Sequence, residues 1–198
     1  MGAIPCWISS VRKKTGGMNK GKKLPGQMMI SGELIQIFGL GALILGDSGI
    51  GKSESTLELI ARGHKFVSDD VVLVQKTPRG GLVGKPPPLS RDFMEIRGLG
   101  IINIREIFGS RSIRRQAPVD LIIRLKKWHR RREYDRLGLK FPEDIIILGK
   151  KIPQLNIPVA PGRNIATLIE VACKVHILVK KGYHAPREII RKLDRALS

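Results

Sequence analysis

The octapeptide Gly46-Asp47-Ser48-Gly49-Ile50-Gly51-Lys52-Ser53 constrains this chain more than any other feature, because it satisfies the phosphate-loop pattern G-x-x-x-x-G-K-[ST]. Such a loop works only between a buried strand and a helix, and the flanks supply both. Ala42 to Leu45 form an apolar run before it, and Lys52 to Ala61 carry Leu57, Leu59 and Ile60 at helical spacing, with Gly63 just past the end. The glycines let backbone N–H groups turn toward a phosphate chain, and the helix N-terminus adds positive potential. Lys52 reaches the outer phosphates, and the Ser53 hydroxyl is a hard oxygen ligand for Mg²⁺. The pattern therefore implies a purine nucleoside di- or triphosphate bound with Mg²⁺ by residues 46 to 53.

The flanking segments read as an α/β domain. Leu34 to Phe38 and Ala42 to Leu45 look like two strands joined by a tight turn at Gly39-Leu40-Gly41. Val71 to Val74, Leu121 to Leu125 and Ile145 to Leu148 are further strands, and Ile157 to Pro161 is an extended segment. Lys85-Pro86-Pro87-Pro88 reads as a surface loop, since three prolines remove three backbone donors. A short helix is expected over Ile104 to Phe108. Asn164 is placed to cap a helix carrying Ile165, Leu168, Ile169 and Ala172 on one face, and Pro186 to Leu197 repeats that spacing. Residues 1–27 are Gly- and Lys-rich without periodicity and read as a loose basic tail, so the domain is expected to occupy residues 28–198.

Composition narrows the class. Hydrophobic residues make up 42% and charged residues 27% of the chain, and no apolar run approaches the roughly 18 residues needed to cross a bilayer. The start of the chain lacks the order of a secretory signal. Cys6 and Cys173 make neither a disulfide framework nor a zinc site, so free thiols in a reducing cytoplasm are expected. The formal charge of +19 raises the weight of an acidic partner, with basic residues concentrated between Arg111 and Lys140. Such a run is ordinarily a solvated face, and no RNA or DNA motif accompanies it.

Beyond the loop, the chemistry-bearing candidates are acidic. Asp69-Asp70 follows so closely that its strand is expected beside the loop strand, with the two carboxylates near the γ-phosphate. One would serve metal and the other would accept the proton of an attacking hydroxyl; alternatively both hold Mg²⁺ or water, as in ordinary ATPases. On spacing alone Glu95, in Glu95-Ile96-Arg97-Gly98-Leu99-Gly100, is a bystander in a surface turn. Arg136, in Tyr134-Asp135-Arg136-Leu137-Gly138, is one arginine in a basic stretch. His64, His129, His176 and His184 show no ligand spacing and receive no role.

Taken together, GDSGIGKSE, ARGHKFVSDD, MEIRGLGIINI, YDRLG and IPVAPGRN, in that order from about Ile30 to about Arg195, resemble the catalytic domain of the HPr kinase/phosphorylase family. The resemblance implies a P-loop fold akin to phosphoenolpyruvate carboxykinase, with a mixed central sheet and flanking helices, in a homo-oligomer that is hexameric in the family. It also implies serine phosphorylation of the phosphocarrier HPr from ATP or pyrophosphate, and phosphorolysis giving pyrophosphate. By position, Asp70 matches the proton acceptor and donor, Lys52 the phosphate-binding lysine, Ser53 and Glu95 the Mg²⁺ ligands, and Arg136 the arginine assisting transfer. Met94 to Asn103 match the segment used by both reactions and Ile157 to Gly162 the one tied to dephosphorylation. Ser31 stands where the family has a catalytic histidine, and Ala160 where it usually has arginine before Pro-Gly-Arg-Asn. Two other readings stay open: a nucleotide-sensing regulator with weakened catalysis, prompted by Ser31 and Ala160, and a nucleic-acid-associated P-loop ATPase, prompted by the charge.

Overall fold

The computed structural model describes residues 26–128 and 143–197. Most of the expected tail, and with it Cys6, lies outside them, as do His129, Tyr134 and Arg136. In chain order the elements are β1 (Gln27–Ser31), β2 (Glu33–Ile37), β3 (Leu40–Leu45), α1 (Lys52–Ala61), β4 (Lys65–Ser68), β5 (Val71–Lys76) and β6 (Leu82–Lys85). Then come β7 (Phe93–Ile96), β8 (Gly100–Asn103), α2 (Ile104–Phe108), β9 (Ala117–Pro118), β10 (Leu121–Lys127), β11 (Glu143–Ile147), β12 (Lys150–Val159), α3 (Ile165–Lys180) and α4 (Ala185–Leu197).

Three layers result. A six-stranded mixed sheet, in the order β11-β12-β10-β3-β2-β4, lies between helices on one face and a four-stranded antiparallel sheet, β1-β5-β6-β9, on the other; β7 and β8 form a separate hairpin. The period-two geometry of a strand explains why the central strands are apolar without interruption. On β2, β3 and β10 the side chains of Ile35, Ile37, Ala42, Ile44, Leu121 and Ile123 enter the core shared with α1 and α3. The intervening Leu34, Leu43, Leu45 and Ile122 enter the core shared with the second sheet. A strand buried on both faces has no side left for alternating polar residues.

The β2–β3 connection is a two-residue turn in which Phe38 and Gly39 both have positive φ, 50° and 84°, the geometry that matches the twist of a hairpin. Gly41 is required by a close approach rather than by its dihedrals: a Cβ there would lie 1.6 Å from the Pro118 carbonyl oxygen. Around it, the Gly41 N–H donates to Asp120 Oδ2 and the Asp120 N–H returns a bond to the Gly41 carbonyl, fixing β9 across the start of the loop strand.

Three expectations need correction. The tight turn falls at Phe38-Gly39 and not at Gly39-Leu40-Gly41, because Leu40 and Gly41 already pair with Ile37 and Gln36. The strand preceding Asp69-Asp70, β4, pairs with β2 and not with the loop strand β3, whose neighbours are β2 and β10. The short hairpin turn lets β2 occupy the flank of β3 first, so β4 adds outside it. The expected loop at Lys85-Pro86-Pro87-Pro88 begins one residue later, because Lys85 closes β6 opposite Leu73, and Pro88 opens a single 3₁₀ turn. The helices fall where expected, with Asn164 Oδ1 accepting the Thr167 N–H at 2.7 Å. Among the described residues no helix is long and apolar enough to cross a membrane.

Candidate active site

The loop emerges from the end of β3 and feeds α1. Gly51, at φ 97°, is the residue before the helix, and no side chain caps it, so the first-turn N–H groups remain free to meet an anion. Glycine is needed at Gly49 as well, with φ 75°: a Cβ there would lie 3.3 Å from Arg97 Nη1. The guanidinium of Arg97, from the β7–β8 turn, thus lies over the phosphate loop. Lys52 Nζ donates to the carbonyls of Gly46 and Asp47, both at 3.1 Å.

Behind the loop lies an acidic pair. Glu33, the first residue of β2, is completely buried on the face toward α1, and its Oε1 accepts the Ser53 hydroxyl at 2.9 Å. Asp69, also buried, follows β4, and its Oδ2 accepts the Glu95 N–H at 2.9 Å, which ties the β7–β8 hairpin to the site. Burial pushes the Glu33 carboxyl up to about 8, the charge of Asp69 adds to the push, and the hydroxyls of Thr56 and Ser53 with the Lys52 ammonium partly oppose it. Asp69 is raised to about 6, again mainly by burial; the Glu95 N–H opposes and the neighbouring Asp70 charge adds. Glu33 Oε2 and Asp69 Oδ1 are both buried without a hydrogen-bond partner, and a single proton held between the two carboxyls would satisfy both.

Asp70 occupies a left-handed conformation, φ 58°, in the turn between β4 and β5, and its carbonyl accepts the Gly32 N–H at 2.9 Å. Its side chain is half-buried and takes no hydrogen bond from a described residue. Glu95 is exposed on β7. Beside the loop a cleft of about 600 Å³ is lined by Ile30, Ser31, Leu45, Gly46, Asp47 and the β10 residues Arg124 to Lys127. It opens at the carboxyl ends of the parallel strands β3 and β10, where ligands of α/β sheets ordinarily bind. Within it, Arg124 is held by a 3.1 Å bond from its Nε to Gln154 Oε1.

The donor set suits a hard divalent cation. No cluster of three or more Asp, Glu, His or Cys among the described residues could hold one unaided, but Mg²⁺ characteristically takes one or two protein oxygens and completes its shell with phosphate and water. The Ser53 hydroxyl and the exposed Glu95 carboxylate, whose residue is tied to Asp69 through its backbone N–H, are of the required kind. Three contributors escaped the sequence reading: Glu33, Arg97 and Arg124. The available signal was a charged residue abutting or interrupting an apolar strand at the flank of the loop strand, as in Ser31-Gly32-Glu33-Leu34-Ile35 and Ile122-Ile123-Arg124-Leu125.

Comparison with known proteins gives the family. The family model for the HPr Serine kinase C-terminal domain matches residues 22–193. This chain belongs to the HPr serine kinase C-terminal domain family. It is 46% identical over 172 residues to the HPr kinase/phosphorylase of Thermoanaerobacter sp. (strain X514), covering 87% of this chain and 56% of that protein. Against the HPr kinase/phosphorylase of Geobacter sulfurreducens it is 49% identical over 164 residues, 83% of this chain and 51% of the relative. The chain therefore spans about half the length of the curated relatives it matches. The solved HPr(Ser) kinase/phosphatase from Coxiella burnetii superposes with a TM-score of 0.74 at 33% identity, covering 82% of this chain and 98% of that one. The mixed sheets with flanking helices are thus the fold of an HPr kinase domain.

Proposed function

We propose that this HPr serine kinase domain is a Mg²⁺-dependent protein-serine kinase acting on the phosphocarrier HPr, with ATP or pyrophosphate as donor, and that residues 28–198 form its catalytic unit. The observation that carries the reading is the convergence on one loop of Lys52, Ser53, the Arg97 guanidinium and, through Glu33, the charge of Asp69.

In this reading the N–H groups of residues 46 to 53 and the Lys52 ammonium, held at the loop by the carbonyls of Gly46 and Asp47, bind the phosphate chain. Ser53 and Glu95 hold Mg²⁺, which when bound neutralises charge on the phosphates. The HPr serine hydroxyl attacks the terminal phosphorus, its proton passes to the Asp70 carboxylate, and ADP or phosphate leaves. In reverse, inorganic phosphate attacks the phosphoserine, Asp70 returns the proton to the serine oxygen, and pyrophosphate forms. Arg136, outside the described residues, is assigned to charge stabilisation by the family resemblance. HPr is the partner, a homo-oligomer is the working form with a hexamer as in the family, and the compartment is the cytoplasm.

Incubation with ATP, Mg²⁺ and HPr tests the assignment: one serine of HPr gains one phosphate, read by intact mass. Nucleotide binding without any labelling of HPr would refute the substrate. One observation favours a weakened enzyme as second reading, since Ser31 lines the cleft beside Gly46 and Asp47 where the family pattern has histidine. In a weakened enzyme Ser31→His raises transfer by about tenfold or more; an unchanged rate excludes that loss as the cause.

A further inference from the structure

Glu33 calls for an explanation that the catalytic assignments do not give. Among the described residues it is the one acidic side chain with no exposure at all, and burial of a carboxyl is costly unless its oxygens are used. A leucine or valine would continue the apolar strand that follows. Instead the chain places there a group whose Oε1 accepts the Ser53 hydroxyl at 2.9 Å.

That hydrogen bond is long-range by necessity. Within the same helix Ser55 donates its hydroxyl to the carbonyl four residues back, on Gly51, the usual recourse of a helical serine. Ser53 does not. Its proton is drawn across to a strand twenty residues earlier in the chain. The register explains how: Glu33 pairs with Ile44 on the loop strand, and because Leu34 faces the second sheet, Glu33 faces the helix that begins at Lys52.

A hydroxyl has one proton and two lone pairs. When it ligates a cation, a lone pair must face the cation and the proton must be donated elsewhere. We propose that Glu33 is a positioning residue for the Mg²⁺ site: its Oε1 takes the Ser53 proton and so turns the Ser53 oxygen toward the cation. Glu33 does not itself ligate the metal. The role needs only an acceptor at Oε1, so a neutral amide fills it equally well. Glu33 Oε2 has no hydrogen-bond partner and lies within reach of the Asp69 charge, so the amide N–H of a glutamine meets a carboxylate on that side. The inference rests on the reading of Ser53 as a Mg²⁺ ligand.

The test is a Mg²⁺ titration of the full chain bearing a non-hydrolysable ATP analogue, set against metal-free ADP binding and thermal unfolding. Glu33→Leu weakens Mg²⁺ by about tenfold or more, as loss of a ligand-orienting partner does, while metal-free ADP binding stays within about twofold. Glu33→Gln restores wild-type Mg²⁺ affinity, which a merely apolar or space-filling role would not require. In a Ser53→Ala background Glu33→Leu has no further effect, because the residue acts only through that hydroxyl. Wild-type Mg²⁺ affinity in Glu33→Leu overturns the proposal. So does equal loss in Glu33→Gln and Glu33→Leu, which would make the charge, and not the acceptor, the active property. A wild-type protein indifferent to Mg²⁺ overturns the metal reading and this one together; a Mg²⁺-dependent wild type with an unaffected Glu33→Leu overturns this one alone.

Discussion

Replacing Glu33 by glutamine should change how stability depends on pH, and the structure sets both the sign and the size. The Glu33 carboxyl titrates near its ordinary 4.5 when unfolded and at about 8 when folded, raised by burial first and by Asp69 second. Between those values the native state holds a proton that the unfolded chain has lost, so folding takes up a proton and stability falls as pH rises. The contribution is fully present below about pH 4.5 and is lost progressively as pH climbs to about 8. One proton corresponds to about 1.4 kcal/mol per pH unit, which accumulates to about 3 kcal/mol between about pH 5 and pH 7. Glutamine cannot ionise and keeps the acceptor for Ser53. Glu33→Gln should therefore match the wild type near pH 4.5 and exceed it by a few kcal/mol near neutral pH. Urea unfolding in the presence of chelator, at several pH values and with unchanged m-value, measures the difference. Parallel pH profiles for the two proteins would refute the reasoning, because they would mean that Glu33 ionises in the folded state as it does in water.

Other perturbations follow from single contacts. Asn164→Ala removes the acceptor for the Thr167 N–H and the donor to Glu58, and should cost about 1 kcal/mol in urea unfolding. Gly41→Ala places a methyl 1.6 Å from the Pro118 carbonyl, so it should destabilise by about 3 kcal/mol or more, or abolish folding, as read by thermal unfolding and soluble yield. Cys173 is fully buried and its thiol is pushed up to about 12 by burial. It should resist alkylation in the native protein and react only on unfolding, which thiol labelling followed by mass measurement reports.

What the sequence disclosed and what it withheld divide along a physical line. Elements driven by local chemistry were legible: α1 from the Gly-Lys-Ser start and its apolar spacing, α3 from its Asn164 cap, and the existence of the β2–β3 hairpin from a glycine between two apolar runs. Elements that exist only through partners were not. β6 and β9 have four and two residues, too short for a period, and become strands because β5 supplies the ladder for β6 and β6 in turn supplies it for β9. The first half of β12 carries Lys150, Lys151 and Pro153, no strand signature by themselves, and it is extended because β11 pairs with it while β10 pairs with the second half. The phosphate loop was legible as a contiguous motif, whereas Glu33 and Arg97 reach it from β2 and the β7–β8 turn, and only the fold brings them to it. Asp69 and Asp70 were noticed, but not that adjacent residues in a tight turn would diverge, one buried against Glu95 and the other half-exposed at positive φ.

The most direct measurement is single-turnover phosphate transfer from ATP to HPr by Asp70→Asn, run beside nucleotide binding by the same variant. If Asp70 takes the serine proton, transfer falls by about a hundredfold or more while nucleotide affinity changes by less than about twofold. Transfer at the wild-type rate would contradict the assignment of the proton acceptor and, with it, the proposed mechanism.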